Sequence, residues 1–251
     1  MKNILHIARR ELASYFLSPI AYISLVVFYA ALGIFFHLFI TGSYMASMMG
    51  ATYFMGLMLV LVAPVLTMRL IAEERRLGTL EGLMTAPVTH TALVVGKFLG
   101  ALAFFVILLL PSLFHAWLLF HLSSSGPDVW KLAANYLGLL LLGAFMFSFG
   151  TFCSSLTRSQ VAAALAGIAI LFVLWLLSDF LRDTPPYSLT GDGKDQVLRA
   201  LYRAAAFVAY PTHLRSFLDG ALDLRDIVFF VSFTVFFLFL AVCTVANRKW
   251  R

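Results

Sequence analysis

The sequence predicts an all-α integral membrane protein with six transmembrane helices, and three observations carry that prediction. Of its 251 residues, 62% are hydrophobic and only 12% are charged, a balance outside that of water-soluble domains. The apolar residues gather in six runs, at about 20–40, 53–71, 98–120, 132–156, 162–180 and 227–246. Each is near the roughly 20 residues that a helix needs to cross a bilayer. The runs are apolar on every side rather than alternating, so they read as helices; lipid offers a bare backbone no hydrogen-bond partner.

Residues 1–19 precede the first run. Ile4, Ala8, Leu12, Tyr15 and Phe16 fall on one side, with Lys2, His6, Arg9 and Arg10 over the rest. That is the pattern of a basic amphipathic helix lying in a membrane interface. The Ser18-Pro19 step turns the chain into span one. The uncharged loop 41–52 carries Met45, Met48 and Met49, with Met55 and Met58 beyond. Thioethers suit copper(I), but no Cys or His cluster joins them, and the residues read as interfacial packing. Pro64 predicts a kink in span two. His115 lies in span three, His121 just past it, and His37 at the outer end of span one. They read as interfacial side chains first and substrate contacts second. Spans four and five read as a packed pair: Gly143, Ala144, Ser148, Gly150, Thr151 and Ser154 would face Ala162, Ala163, Ala166 and Gly167, since small residues let membrane helices approach closely.

Between spans two and three, residues 69–97 crowd three Glu with Arg and Lys. Gly78 can end a helix in the left-handed conformation. Thr79 can cap the next helix, with Glu81 in its first turn, where the helix N-terminus favours negative charge. Leu80, Leu83 and Met84 share one face, and Pro87 stops the helix. The expected product is a short helix with an apolar face on a charged root formed by Glu73, Glu74 and Arg75, shaped to be gripped by a partner.

Residues 181–226 form the one sizeable outer region. Asp183-Thr-Pro-Pro and Gly191-Asp-Gly-Lys are turn clusters. Leu198, Leu201, Tyr202, Ala205 and Val208 then recur at helical spacing, with Arg199 and Arg203 off that stripe. Tyr210-Pro211 is expected to break this helix, and Thr212 to start another through Leu222. Two short helices on the outer leaflet fit the pattern.

Charge sets the orientation. With the N-terminus inside, eleven Lys and Arg lie on the inner side, Lys97 among them, and seven on the outer. The positive-inside rule thus places both termini in the cytoplasm. The net charge of +6 is spread in this way and implies no nucleic-acid partner. Cys153 and Cys243 fall near inner ends of spans, where no disulfide is expected. A cleavable signal peptide is not expected, because the first apolar run is too long for one.

A family likeness rests on two stretches. Glu73-Glu-Arg-Arg-x-Gly-Thr-Leu-Glu-x-Leu-x-x-x-Pro-Val, followed by Gly96-Lys-Phe98, resembles the cytoplasmic coupling segment of ABC-2 type export permeases, above all the gliding-motility permease group. Pro211-Thr-His213, Phe217, Asp219-Gly220 and Asp223-Leu-Arg-Asp226 are similar to the outer region of the same group. The resemblance implies one ABC-2 transmembrane domain over 1–251, with an interfacial elbow helix at 1–19, a coupling segment at 69–97 and an outer loop with short helices at 181–226. It further implies a bacterial inner-membrane exporter of an amphipathic or lipid-linked substrate. Spans one, two and five would line a seam with a second permease copy or paralogue. A cytoplasmic ABC ATPase would grip the coupling segment, and a periplasm-facing accessory subunit is a further expected partner.

No Walker A sequence is present: at Gly96-Lys97 a Phe follows the lysine, and Thr91 stands where the first glycine belongs. No cofactor is expected in this chain, and the partner ATPase would bind ATP and Mg. The span interiors read as free of Asp, Glu, Lys and Arg, which argues against an ion-driven transporter. No nucleophile and base fall at matched depth, so the chain is not expected to be an enzyme. The alternative is a haem-binding or anchoring subunit of an electron-transfer complex that uses His37, His115 and His121.

Overall fold

The computed structural model describes residues 2–43, 48–78, 89–122, 128–183 and 196–247. Among these the chain is helical, without strands. The elements are α1 (Lys2–Phe16), α2 (Pro19–Ser43), α3 (Met49–Thr67), α4 (Arg69–Leu77), α5 (His90–Leu109), a 3-10 turn at Leu110–Ser112, α6 (Leu113–Leu122), α7 (Val129–Leu156), α8 (Gln160–Asp183), α9 (Gln196–Val208), α10 (Tyr210–Leu218) and α11 (Leu224–Asn247). Six segments are long and apolar enough to cross a membrane: α2, α3 with α4, α5 with α6, α7, α8 and α11. They coincide with the six apolar runs. Alternating directions bring α1, α4 and the α7–α8 turn to one end of the bundle, and α9 and α10 to the other.

Two of the spans are interrupted. In the second, Pro64 lies inside α3 and the helix breaks at Met68 before resuming as α4. In the third, Pro111 sits in the 3-10 turn between α5 and α6, a break that hydropathy does not signal. Proline removes a backbone donor and crowds the preceding turn, so a helix is interrupted there. Ser112 Oγ takes up the Leu109 carbonyl at 2.7 Å.

The core is built around α7, the most enclosed span, against which α11, α3, α8, α10, α5 and α4 all pack. The small residues of α7 let these neighbours in, but they do not chiefly serve α8. Gly143 receives the Phe105 ring of α5, Gly150 meets the Thr67 side chain of α3, and Gly138 accepts Phe217 of α10. A Cβ at any of the three would collide. Gly167 of α8 lies against Pro64 of α3. The expected pairing of spans four and five through facing small residues is thus corrected: the two helices touch, while their glycines serve third helices. Small residues permit close approach in lipid without specifying which neighbour approaches.

In the first helix one residue of the expected apolar stripe, Phe16, departs from the rest. Its packed side is Ile4, Ile7, Ala8, Glu11, Leu12, Ser14 and Tyr15, while Leu5, Phe16 and Leu17 are exposed. The apolar stripe is therefore divided: Tyr15 turns inward, Phe16 outward, and α1 packs along the first half of α5.

Candidate functional site

The charged root after span two is held by three other helices. The break at Met68 leaves the first amides of α4 without partners in their own helix, as at any helix start. Met68 supplies no side-chain cap. Instead Ser154 reaches over from α7: its Oγ accepts from the amides of Ile71 and Ala72 at 3.1 Å each and donates to the Met68 carbonyl at 2.8 Å. A hydroxyl on another helix thus performs the cap.

From α1, Tyr15 donates its hydroxyl to the Leu66 carbonyl at 2.8 Å, stacks on Phe104 with ring centres 4.8 Å apart, and lies under the Arg69 guanidinium at 4.4 Å. Burial, then the nearby Glu11, pushes the Tyr15 phenol well above its ordinary range, so it remains a donor. Arg69 also reaches Ser14 Oγ at 3.4 Å.

From α5, Lys97 closes the third contact. Its Nζ lies 2.9 Å from Glu74 Oε1 and 3.2 Å from Glu11 Oε2 of α1. Lys97 stands seven residues after the start of the helix of the third span and is only 6% exposed, so this inner-end cation is buried against protein rather than solvated. Asp226, in the first turn of α11, is likewise buried.

Glu73, Glu74 and Arg75 are each partly buried along α4, and Gly78 ends the helix at φ 70° in the left-handed conformation that its sequence position predicts. Thr79, Leu80, Glu81, Leu83 and Met84 lie outside the described residues. The chain re-enters at Thr89, whose side chain caps α5 by accepting from the Ala92 amide at 3.2 Å.

At the far end of the bundle, α9 and α10 are the two short helices expected there. Leu198 and Leu201 belong to α9. Tyr202 donates to the Leu181 carbonyl at 2.8 Å, tying α9 to the end of α8, and Arg203 is exposed. Val208 is exposed rather than part of the packed stripe. Tyr210 and Pro211 open α10 rather than merely preceding it, because proline is tolerated in a first helical turn. The helix stops at Leu218, ahead of Gly220 at φ 84°, instead of running to Leu222. Pro211 and Phe217 are buried. His213 is sealed between Asp226 Oδ1, 2.7 Å from Nδ1, and the Phe207 carbonyl, 3.0 Å from Nε2, with its ring stacked 3.9 Å from Phe229.

The histidines of the electron-transfer alternative are placed differently. His121 folds back on its own helix, with its ring 4.2 Å from Trp117, while His115 meets Phe36 edge-on. His37 is exposed and lies on α2.

Residues 22–247 match the family model described as ABC-2 family transporter protein. The chain belongs to that family. No curated protein matches it. This ABC-2 chain is a membrane permease component of an ABC transporter, a transport subunit rather than an ATPase, and the electron-transfer alternative has no support beside that membership.

Of the residues that hold the root of this ABC-2 permease, Glu74 was read as part of it from the sequence. In the sequence Lys97 reads as a loop cation and Ser154 as a span-packing residue, and Glu11 carries no signal of its own. One signal was available: Gly96-Lys97-x-x-Gly100 places a cation between two glycines four apart, the pattern of a helix face that receives another backbone.

Proposed function

We propose that this ABC-2 permease is the membrane half of an ATP-driven exporter in a bacterial inner membrane, with both termini in the cytoplasm. A separate cytoplasmic ATPase, carrying ATP and Mg, grips the segment after Gly78 through Leu80, Leu83 and Met84. Glu81 lies at the margin of that grip and fixes its orientation. Two permease copies, or a copy and a paralogue, enclose the path of an amphipathic or lipid-linked substrate, with a periplasm-facing accessory subunit beside α9 and α10. The sequence likeness to gliding-motility permeases supports this subgroup, without implying that motility is the cargo's purpose.

The observation that carries this proposal is the bracing of α4. A surface loop needs no such support, whereas a segment that passes force into a bundle does. Here a charged helix stands on the interruption of span two, anchored by Ser154, Tyr15 and Lys97 from three different helices. The aromatic and aliphatic span surfaces suit an amphipathic cargo.

Tagged permease extracted in mild detergent should bring down an ATPase chain. A cysteine replacing Arg75 should react with an impermeant thiol reagent only after the membrane is opened, and one replacing Lys194 should react from the outer face. Permease that purifies without an ATPase, or the reverse labelling pattern, would contradict the proposal.

A further inference from the structure

Lys97 joins three helices at one atom. Its ammonium contacts Glu74 of α4 and Glu11 of α1 at 2.9 and 3.2 Å, from a side chain only 8% exposed. The packing around it is equally close. A Cβ at Gly100 would lie 2.7 Å from the Ala8 carbonyl, and one at Gly96 would lie 2.8 Å from Ile7 Cβ. So α1 rests directly on the backbone of α5, one glycine on each side of the lysine. A buried charge is tolerated only with good partners, and removing one partner leaves the others uncompensated. Here two carboxylates share one cation, so without the lysine they would face each other across the same space.

We infer that Lys97 is a positioning residue for ATP-driven transport, locking the first helix to the charged root so that the two move as one body. This rests on the docking proposal above. The consequence is a second route into the membrane. Force on α4 passes up α3, and through Glu74, Lys97 and Glu11 it passes into α1 as well. From there it reaches span one without a flexible joint: the Ser18 amide bonds the Tyr15 carbonyl at 3.0 Å, the Ala21 amide bonds the Ser18 carbonyl at 3.2 Å, and the Tyr22 hydroxyl bonds the Phe16 carbonyl at 2.8 Å. The first and second spans then respond together to one stroke.

The test places spin labels at Ala13→Cys and Leu77→Cys, both on exposed positions of α1 and α4, and separately at Leu77→Cys and Leu165→Cys, the latter exposed on α8. Both pairs are introduced into a Cys153→Ala, Cys243→Ala background of the full permease–ATPase complex in lipid nanodiscs. Distances are measured with and without a non-hydrolysable ATP analogue. The lock predicts a narrow Ala13–Leu77 distribution that nucleotide does not move, while the Leu77–Leu165 distance shifts.

Lys97→Met should at least double the width of the Ala13–Leu77 distribution, and Lys97→Arg should keep it narrow. A Glu11→Gln, Lys97→Met, Glu74→Gln variant, which removes both carboxylates together with the ammonium, guards against simple misfolding; it should assemble yet stay broad. A wild-type width in either Met variant, or a broad Lys97→Arg, would overturn the lock. A Leu77–Leu165 distance indifferent to nucleotide, in a complex that hydrolyses ATP, would instead overturn the docking proposal, and the Ala13–Leu77 widths would still judge the lock.

Discussion

The hydroxyl of Ser154 on the fourth span stands 2.8 Å from the carbonyl of Met68, at the point where the second span breaks. The same oxygen accepts the amides of Ile71 and Ala72. An interruption that leaves backbone groups unpaired in a buried setting is costly, and one side chain from a neighbouring helix satisfies three of them at once. Ser154 thereby ties the fourth span to the interruption of the second.

Replacing that hydroxyl should therefore cost more than an ordinary surface change. Ser154→Ala leaves buried amides and a carbonyl unpartnered, with an expected loss of about 1–3 kcal/mol, while Ser155→Ala, whose hydroxyl bonds only the Phe152 carbonyl of its own helix, should cost less. Unfolding of the detergent-solubilised permease, followed by circular dichroism, measures both. Equal stability of the two variants would mean that Ser154 is not the cap.

At the opposite end, His213 and Asp226 tie α10 to the last span. Both ring nitrogens face oxygen acceptors, Asp226 Oδ1 and the Phe207 carbonyl. Asp226→Ala leaves the buried Nδ1 of His213 without its acceptor, a change expected to cost about 1–3 kcal/mol. His213→Phe combined with Asp226→Leu removes both polar groups and should recover much of that loss. Unfolding midpoints of the single and double variants decide the matter: a double variant as unstable as the sum of its singles would show that the two residues act separately.

How far the sequence carried this picture depends on the kind of signal involved. The six spans were readable because an apolar run of spanning length has few other uses. The stop at Gly78 was readable too, since a glycine after a charged helix supplies the left-handed cap without help from elsewhere. Contacts between distant residues were not. Lys97 looked like one more cation near a membrane surface, and its meaning depends on Glu11, 86 residues earlier in the chain. The glycines of α7 announced a closely approached face, but spacing names a face and not the neighbour that fills it, so Phe105, Thr67 and Phe217 could not be foreseen. In α1 the apolar stripe is plain in the sequence, but the direction of Glu11 depends on Lys97 of another helix. The run around Pro111 is apolar throughout, and hydropathy is blind to a 3-10 turn.

The central claim is that the segment after Gly78 is the dock for a separate ATPase, and a paired variant experiment tests it most directly. Fully burying a leucine-sized side chain is worth roughly 1.5–3 kcal/mol, so Leu83→Ala should lower ATPase co-purification by about tenfold or more. Glu81 lies at the charged margin, where pairing sets orientation more than affinity. Glu81→Lys should therefore retain the ATPase yet lose stimulation of its hydrolysis by the permease. The measurement is the amount of ATPase recovered with each variant from membranes, together with its hydrolysis rate in the recovered complex. The account predicts this split; two variants that bind and stimulate the ATPase like the native chain would contradict it.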